Sequence, residues 1–274
     1  SKVQIHEIDA DMAGQRLDNY LIKTLKGLPK SRIYRIIRKG EVRINSKRCK
    51  PEAKLVAGDL LRIPPIQHLP VRSAAVGHFN DIENLVVYED DHLLIINKPA
   101  GMAVHGGSGV SVGVIESLRH ARPEGNRLEL VHRLDRGTSG CLMVSKRRSY
   151  LRLLQDALRK PGQIRKHYLA VVHGRWSRKM AQIDQPLLTN SISGKERVTR
   201  VNGQGKAAVT DFSLLEANDE MSVVRASPRT GRTHQIRVHA RWARHPLVGD
   251  TKYGDQTLDQ TSGIEGRLML HAAE

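Results

Sequence analysis

A stretch without regular periodicity divides this chain into a short N-terminal part and a longer C-terminal part. From Pro64 to about Asn84, three prolines lie among mixed polar residues, and neither a helical nor a strand repeat is sustained. Segments of this composition are typical of linkers. We therefore predict a small domain over residues 1–64, a linker over 65–84 and a larger domain over 85–274.

The short N-terminal part is strongly basic. Between Leu21 and Lys50, eleven Lys or Arg residues accompany a single acid, Glu41. The whole chain has 45 Lys and Arg against 28 Asp and Glu, and its formal charge of +17 favours a polyanionic partner. We find no apolar run long enough to span a membrane, no leader with a cleavage site, and only two cysteines. We therefore expect a cytoplasmic protein without a membrane partner.

Two helices and a few short strands are predicted within this basic part. Residues 16–25 have apolar residues at helical spacing, and a second helix, capped by Ser31, continues to Lys39, where Gly40 ends it. Alternation predicts strands over 41–50, with a turn at Asn45-Ser46, and over 59–63. The apolar face of the second helix is predicted to consist of Ile33, Tyr34, Ile36 and Ile37.

This part resembles an S4-type RNA-binding domain over roughly residues 14 to 63. The resemblance rests on Arg16-Leu17-Asp18, on Ser31-Arg32, and on a strand pattern formed by Gly40, Val42, Ile44 and Asn45. It implies that the cations bind RNA, whereas charge patterning alone leaves a merely solvated helix face as the alternative. The predicted RNA contacts are Lys30, Arg32, Arg35, Arg38, Lys39, Arg43, Lys47 and Arg48.

The larger part is predicted to be an α+β domain built on a largely antiparallel mixed sheet with flanking helices. Strands are predicted over residues 85–88 and 93–96, joined by an acidic turn, and over 140–145, 165–173, 208–216 and 221–227. Helical spacing covers 148–159 and 233–244, the latter ended by Pro246. The glycine-rich segment 105–109 is predicted to be a turn before a helix, because it lacks the spacing of a nucleotide-binding loop.

Spacing and composition argue against several other functions. Aromatic residues make up 4% of the chain, which is too few for rows of base-stacking side chains. Ser139 lacks the glycine offsets of a hydrolase nucleophile. His234 and His239 are five residues apart on a predicted helix and so do not share one face as metal ligands would. We therefore expect neither a metal nor a cofactor.

The best candidate for chemistry is Asp135, which lies among cations in the segment His132-Arg133-Leu134-Asp135-Arg136. On spacing alone, an ordinary surface ion pair is the preferred interpretation. A carboxylate held by a cation nevertheless stays ionised, as is needed at a sugar carbon that loses its base. A second cationic cluster, residues 229–237, turns through Gly231 into a helix and could present side chains and amides to an anion.

Five ordered motifs make the chain similar to the RluA family of pseudouridine synthases over nearly all of its length. They are Asn97-Lys98-Pro99-Ala100-Gly101, residues 132–140 with Thr138-Ser139-Gly140, Lys166-His167-Tyr168-Leu169-Ala170, residues 230–239, and Leu268-Met269-Leu270-His271-Ala272. The resemblance implies an isomerase that converts uridine to pseudouridine without a cofactor. It also implies an RNA partner, specifically large-subunit ribosomal RNA, and we expect a monomer. Gly137 departs from the family pattern, and the C-terminal edge is expected to be shortened.

The resemblance also implies roles for individual residues. Asp135 is the expected catalytic carboxylate, Tyr168 is expected against the target base, and Arg237 is expected to pair with Asp135. Without the motifs, Tyr168 would be assigned to core packing and Arg237 to the solvent-exposed face of its helix. Lys98 is expected to be structural. Further RNA contacts are predicted at His132, Arg133, Arg136, Arg232 and His234.

Two other functions remain as alternatives at this point. A noncatalytic RNA-binding or ribosome-assembly factor would use the same basic regions, and a nucleobase-removing glycosylase would share the carboxylate. The sequence also leaves open whether Asp135 attacks the sugar carbon, adds to the base or assists elimination.

Overall fold

The computed structural model describes residues 3–25, 28–66, 81–106, 112–192, 196–264 and 266–274. The chain forms two compact units, Ser1–Val76 and Gly77–Glu274. Residues 67–80 of the predicted linker and residues 107–111, which include part of the glycine-rich segment, lie outside the described residues. In the described part of the chain, every helix is too short or too polar to cross a membrane.

The N-terminal unit consists of two helices that share one apolar core with a four-stranded antiparallel sheet. The sheet order is β1-β4-β2-β3, so the first strand, which the sequence pattern did not predict, pairs with the last. At the turn between β2 and β3, Asn45 and Ser46 both have positive φ, as the predicted hairpin requires. The elements are β1 (Gln4–Glu7), α1 (Leu17–Thr24), α2 (Lys30–Arg38), β2 (Arg43–Ile44), β3 (Lys47–Arg48) and β4 (Leu60–Ile63).

Helix α2 forms because isoleucines three and four residues apart give it one apolar face, which is buried in this core. The predicted cap at Ser31 is wrong: the residue before the helix is Pro29, whose fixed φ suits a helix start, and Ser31 lies inside the first turn. Tyr34 was also assigned wrongly to the apolar face. Its side chain is exposed, and its hydroxyl donates a hydrogen bond to Asp18 at 3.2 Å. Gly40, at φ 71°, follows the end of the helix as predicted.

The C-terminal unit is built on a nine-stranded mixed sheet. Eight strands follow the order β10-β13-β14-β9-β15-β8-β6-β5, β7 pairs with β8, and β11 and β12 form a separate hairpin. In the described sheet only the pairing of β15 with β8 is parallel, so the largely antiparallel sheet is confirmed. The first elements are β5 (Val86–Glu89), β6 (Leu93–Lys98), α3 (Val114–Ala121), β7 (Glu129–Leu130), β8 (Ser139–Ser145), α4 (Arg148–Arg159) and β9 (Tyr168–His173). The remaining elements are β10 (Gln182–Asp184), β11 (Leu187–Ile192), β12 (Glu196–Val201), β13 (Val209–Ala217), β14 (Met221–Pro228), α5 (Gln235–Trp242), α6 (Gln256–Thr261) and β15 (Leu270–Ala272).

The main predicted elements are present at nearly their predicted positions. Helix α4 has the predicted bounds, and α3 follows the glycine-rich segment as expected. Helix α5 begins two residues later than predicted, because His234 adopts the left-handed conformation at φ 54° just before it. The hairpin of β11 and β12 was not predicted, since its strands are rich in polar residues.

A short central strand brings two distant segments together. Ala272 of β15 pairs with Gly140 at the start of β8 and with Tyr168 at the start of β9. Gly140 has φ 109°, and a Cβ at this position would collide with the Ala272 carbonyl, so the close approach requires glycine. The loop before β8, which carries Asp135, therefore ends one strand away from the first residue of β9.

Candidate active site

Asp135 lies in a loop, residues 131–138, that is hydrogen-bonded to β8 at its first residue and leads directly into β8 at its last. Its first amide, of Val131, donates to the Met143 carbonyl at 3.0 Å, and the Thr138 amide closes a turn on the Asp135 carbonyl at 3.1 Å. The Asp135 side chain is 31% exposed. A carboxylate on a loop anchored to rigid strands can keep one orientation while remaining accessible to a substrate.

Lys98, at the end of β6, holds this loop in place through a hydrogen bond. Its side chain is fully buried, and Nζ donates to the carbonyls of Pro99, Met102 and Arg136 at 3.0, 2.8 and 3.2 Å. Burial lowers the pKa of Lys98 to about 8, although the negative charge of Asp135 opposes this shift. One of the three hydrogen bonds therefore joins the end of β6 to Arg136, the residue that follows Asp135, and the other two hold the turn after β6.

Arg237 on α5 contacts Asp135 directly. Nη1 donates to Asp135 Oδ2 at 3.1 Å, although the two residues are 102 positions apart in the sequence. Only 10% of the Arg237 side chain is exposed, so the solvent-exposed position inferred from its helix alone is wrong. The resemblance implied this pair, and the structure brings it together.

Asp250 determines which way the Arg237 guanidinium faces. It accepts hydrogen bonds from Arg237 Nε at 2.8 Å and Nη2 at 2.7 Å, and it also accepts the amides of Lys252 and Tyr253, each at 3.0 Å. Burial alone would lower the pKa of Arg237, but the hydrogen bonds and charge of Asp250, together with Asp135, raise it. Burial alone would raise the pKa of Asp250, but Arg237 lowers it. Both groups are thus charged, and Nη1 is left to face Asp135.

An aromatic ring and an imidazole complete the surroundings of Arg237. The guanidinium carbon is 5.0 Å from the centre of the Tyr253 ring, which is within the range of a cation–π contact. The Tyr253 hydroxyl shares a 2.7 Å hydrogen bond with His234 Nδ1, and His234 Nε2 is 3.7 Å from Asp135 Oδ2. Burial lowers the pKa of His234, which disfavours its charged form. Arg237 is therefore the main cation at Asp135.

Tyr168 lies at the first position of β9, partly buried between two apolar clusters. Burial, with a further contribution from the charge of Asp135, raises the pKa of Tyr168 to about 12. Its hydroxyl is therefore protonated at neutral pH and is influenced by the negative charge of Asp135. Tyr168 is therefore not purely a core residue, because its side chain is only partly buried.

The remaining residues predicted near Asp135 differ in their environments. Arg133 and Arg136 are exposed, and Arg136 Nε donates to the Gly101 carbonyl at 2.9 Å. Arg232 is exposed too, and its Nε donates to the Ala207 carbonyl at 3.0 Å. His132 Nε2 instead accepts the Met143 amide at 3.2 Å, and burial lowers the pKa of His132 to about 4. A neutral imidazole bonded to the sheet favours a structural role over a phosphate contact.

The cations predicted on the N-terminal unit are all at its surface. The exposed set is Lys30, Arg32, Arg35, Arg38, Lys39, Arg43, Lys47 and Arg48. Arg43 is partly engaged, because its guanidinium donates to the carbonyls of Gly40 and Ser46, each at 3.2 Å. Their exposure agrees with binding to a polyanion and equally with a solvated face, so RNA contact by these side chains stays a prediction.

Sequence reasoning missed Asp250 and Tyr253. Their signal is the segment Gly249-Asp250-Thr251-Lys252-Tyr253-Gly254, in which two glycines enclose an acid and an aromatic residue. Gly137, the residue that departs from the family pattern, has limited room: a Cβ there would lie 3.3 Å from Leu268 Cδ2.

Within the described ranges, no group of three or more His, Cys, Asp or Glu could hold a metal ion.

The arrangement is suited to reactions at an electrophilic carbon. One carboxylate oxygen of Asp135 is held by a cation that a second, fully buried carboxylate orients, and the Asp135 side chain stays partly accessible. Such a preorganised carboxylate can stabilise or attack a sugar carbon that develops positive charge.

Comparison with known proteins shows the family of this chain. Residues 92–242 match the family described as RNA pseudouridylate synthase, and residues 15–61 match the S4 domain. Proteins named ribosomal large subunit pseudouridine synthase C from Salmonella typhimurium and Escherichia coli (strain K12) are 53% and 52% identical to this chain over 279 residues. Each alignment covers 99% of this chain and 87% of the relative.

Solved structures are similar as well. Human RNA pseudouridylate synthase domain containing 4 has a TM-score of 0.56 at 25% identity, covering 70% of this chain and 84% of that chain. Human RNA pseudouridylate synthase domain containing 1 has a TM-score of 0.55 at 30% identity, covering 70% and 77%. The resemblance to the RluA family and the S4-like assignment are thereby confirmed, and this chain belongs to the RNA pseudouridylate synthase family, with an S4 domain ahead of its synthase domain.

Proposed function

We propose that this protein isomerises uridines in large-subunit ribosomal RNA to pseudouridine and that Asp135 is the carboxylate that acts in the reaction. The observation that carries the proposal is the 3.1 Å contact between Asp135 and the buried Arg237 within the matched family segment. Family membership supports the reaction type. The printed name of the relatives from Salmonella typhimurium and Escherichia coli supports the choice of RNA.

The proposed reaction exchanges one bond to the sugar for another. The bond from N1 of uracil to C1′ breaks, the detached base turns, and a bond forms from C5 to C1′. The proton on C5 is lost and N1 gains a proton, so the product has the mass of the substrate. Because the target base lies in folded RNA, it must first be turned out of its stack, at a cost of a few kcal/mol.

Three residues have separate roles in the proposed reaction. Asp135 acts at the sugar carbon or the base as the glycosidic bond breaks, and Arg237 keeps the Asp135 carboxylate ionised and oriented. Tyr168 lies against the target base and assists the transfer of its C5 proton. The raised pKa of Tyr168 supports a role as a hydroxyl group rather than as a phenolate.

We assign RNA binding to both units. The exposed cations of the N-terminal unit would contact the RNA backbone, and Arg133, Arg136 and Arg232 would contact RNA near the target. We also propose domain limits at residues 1–64 and 85–274, a monomeric state and a cytoplasmic location. The matched S4 segment, residues 15–61, and the division between residues 76 and 77 support two domains.

The proposed reaction is tested with purified protein and large-subunit rRNA labelled in its uridines. Digestion should yield labelled pseudouridine and no free uracil. Release of free uracil would instead identify a glycosylase, and binding without either product would identify a noncatalytic RNA-binding factor.

The choice of RNA is tested in cells that lack the gene and in the same cells after its return. Pseudouridines in large-subunit rRNA should disappear and reappear at the same positions, while those of small-subunit rRNA should be unaffected. Loss confined to other RNAs would contradict the proposed substrate.

A further inference from the structure

A basic cavity opens beside the candidate active site, between the hairpin of β11 and β12 and the loop that precedes α5. Its volume is about 520 Å³, which is within the size range of small-ligand sites. Its lining consists of Leu187, Leu188, Thr189, Arg197, Gln204, Lys206, Gly231, Arg232 and Thr233. Three of these residues are cations, and none of the described residues that line the cavity is acidic.

The three cations come from three different segments, which makes their convergence a property of the fold. Arg197 is on β12, Lys206 is on the connection from β12 to β13, and Arg232 is on the loop before α5. All three side chains are exposed. Hydroxyl and amide groups from Thr189, Gln204 and Thr233 lie in the same lining and can donate further hydrogen bonds. This combination of donors and positive charge fits an anion.

The walls of the cavity are held in place by the backbone. Leu187 and Lys206 exchange two amide-to-carbonyl hydrogen bonds, each 2.9 Å long, and Gly205 lies so close to Leu187 that a Cβ would collide with its backbone. Arg232 Nε donates to the Ala207 carbonyl at 3.0 Å, which ties the loop before α5 to the same connection. The cations therefore project from a preorganised frame.

The same frame is joined to the residues around Asp135. The Thr199 amide on β12 donates to the Tyr253 hydroxyl at 3.0 Å, and Lys252 Nζ donates to the Arg197 carbonyl at 2.6 Å. Thr233 directly precedes His234, whose Nε2 is 3.7 Å from Asp135 Oδ2. An RNA strand with its target nucleotide at Asp135 thus has a neighbouring nucleotide within reach of the cavity.

We propose that this cavity binds the backbone phosphate and sugar of a nucleotide adjacent to the target uridine. The inference rests on the proposed function, because it takes the RNA strand to pass Asp135. Arg197, Lys206 and Arg232 would neutralise the phosphate, and the polar groups would contact the sugar. Leu188, which is partly exposed, provides apolar surface for the remainder of the nucleotide. The contact fixes the position of the strand and carries no direct reading of the base.

The first test removes Arg197 and Lys206 together, as the Arg197→Ala, Lys206→Ala double variant. The matched control is Arg178→Ala with Lys179→Ala, which removes two exposed cations of the same unit from outside the cavity lining. RNA affinity of the cavity variant should fall about tenfold or more, and its salt dependence should become shallower by about 0.7 in logarithmic slope, as expected for one lost phosphate contact on a single strand. Equal affinity and slope in both double variants would contradict the proposal.

The second test places a neutral methylphosphonate at one backbone position at a time around the target. Replacing the adjacent phosphate should weaken binding to the wild-type protein but should add little to the loss in the cavity variant. Independent, additive losses at every position would contradict a shared contact. The charge-conserving Arg197→Lys, Lys206→Arg variant should bind nearly as well as wild type, which separates loss of charge from misfolding.

Failure of this inference can be told apart from failure of the proposed function. If wild-type protein makes pseudouridine while the cavity variant binds RNA as the control does, only the cavity assignment is wrong. If wild-type protein makes no pseudouridine, the reaction is wrong, and the same binding measurements still report whether the cavity holds phosphate.

Discussion

Asp250 accepts two hydrogen bonds from one guanidinium, from Arg237 Nε at 2.8 Å and from Nη2 at 2.7 Å. The third nitrogen, Nη1, is thereby left to face Asp135 at 3.1 Å. The fully buried carboxylate of Asp250 thus orients Arg237. Arg237 in turn holds the partly exposed carboxylate of Asp135. The site depends on this two-step arrangement, because an arginine without a fixed partner could turn away from Asp135.

Replacing Asp250 should therefore reduce both stability and activity. Asp250→Asn keeps the shape but leaves a buried guanidinium without its charged partner, so the free energy of unfolding should fall by about 3 kcal/mol. Pseudouridine formation should slow roughly tenfold or more, because Arg237 loses its orientation. Urea unfolding and single-turnover assays measure the two effects.

The control for this prediction is Asp211→Asn, at an ion pair with Arg229 in which both side chains are partly exposed. It should change the free energy of unfolding by less than about 1 kcal/mol. Equal losses in both variants would show that the buried pair has no special role.

Tyr168 gives a prediction that separates its hydroxyl from its ring. Tyr168→Phe keeps the apolar contacts of the ring, so folding and RNA affinity should stay close to wild type. Product formation should fall at least tenfold, because the hydroxyl near the charge of Asp135 is lost. Quantitative pseudouridine assays and equilibrium binding on the same preparations test this. An unchanged rate would show that Tyr168 serves only in core packing.

The sequence predicts local elements well and long-range partners poorly. Helix α4 was predicted to the residue, because its apolar residues recur at helical spacing. No local pattern could bring Arg237 to Asp135 or add Asp250, since those contacts depend on how the sheet and α5 pack. Family motifs implied the first contact, and only the structure revealed the second. Tyr34 was assigned wrongly for a similar reason, because its partner Asp18 lies on another helix.

The lowered pKa of His132 predicts that the free energy of unfolding decreases in acid. Burial gives the folded protein a His132 pKa of about 4, below the ordinary value of 6.5, so the unfolded chain takes up this proton first. Stability that is complete above pH 6.5 should be lost as the pH falls towards 4, by about 3 kcal/mol from this group. His132→Gln, which retains an acceptor for the Met143 amide, should lose less stability than wild type over that range.

Chemical unfolding at pH 7, 6, 5 and 4 provides the comparison. Exposed His120→Gln is the matched control and should follow the wild-type curve, because its side chain is in water before and after unfolding. Parallel curves for wild type and His132→Gln would contradict the assignment of a neutral imidazole in the folded protein.

The exposed cations of α2, together with Lys39 directly after it, give a prediction about RNA binding. The triple substitution of Arg32, Arg35 and Lys39 by Ala should weaken binding and make its salt dependence shallower, because fewer counterions are released. The control substitutes Lys50 and Lys54, exposed cations of the same unit that are not on this helix. Titrations from 50 to 200 mM salt measure the slope. A slope equal to wild type in the triple variant would leave those cations on a merely solvated face.

The most direct test of the account compares Asp135→Asn with wild type on the same RNA. The substitution keeps the size of the side chain and a hydrogen-bond acceptor for Arg237 but removes the carboxylate. Site-resolved pseudouridine mapping should detect no product from the variant, while its RNA affinity and salt dependence stay within about twofold of wild type. Product at the wild-type level from Asp135→Asn would contradict the assignment of Asp135 as the catalytic carboxylate.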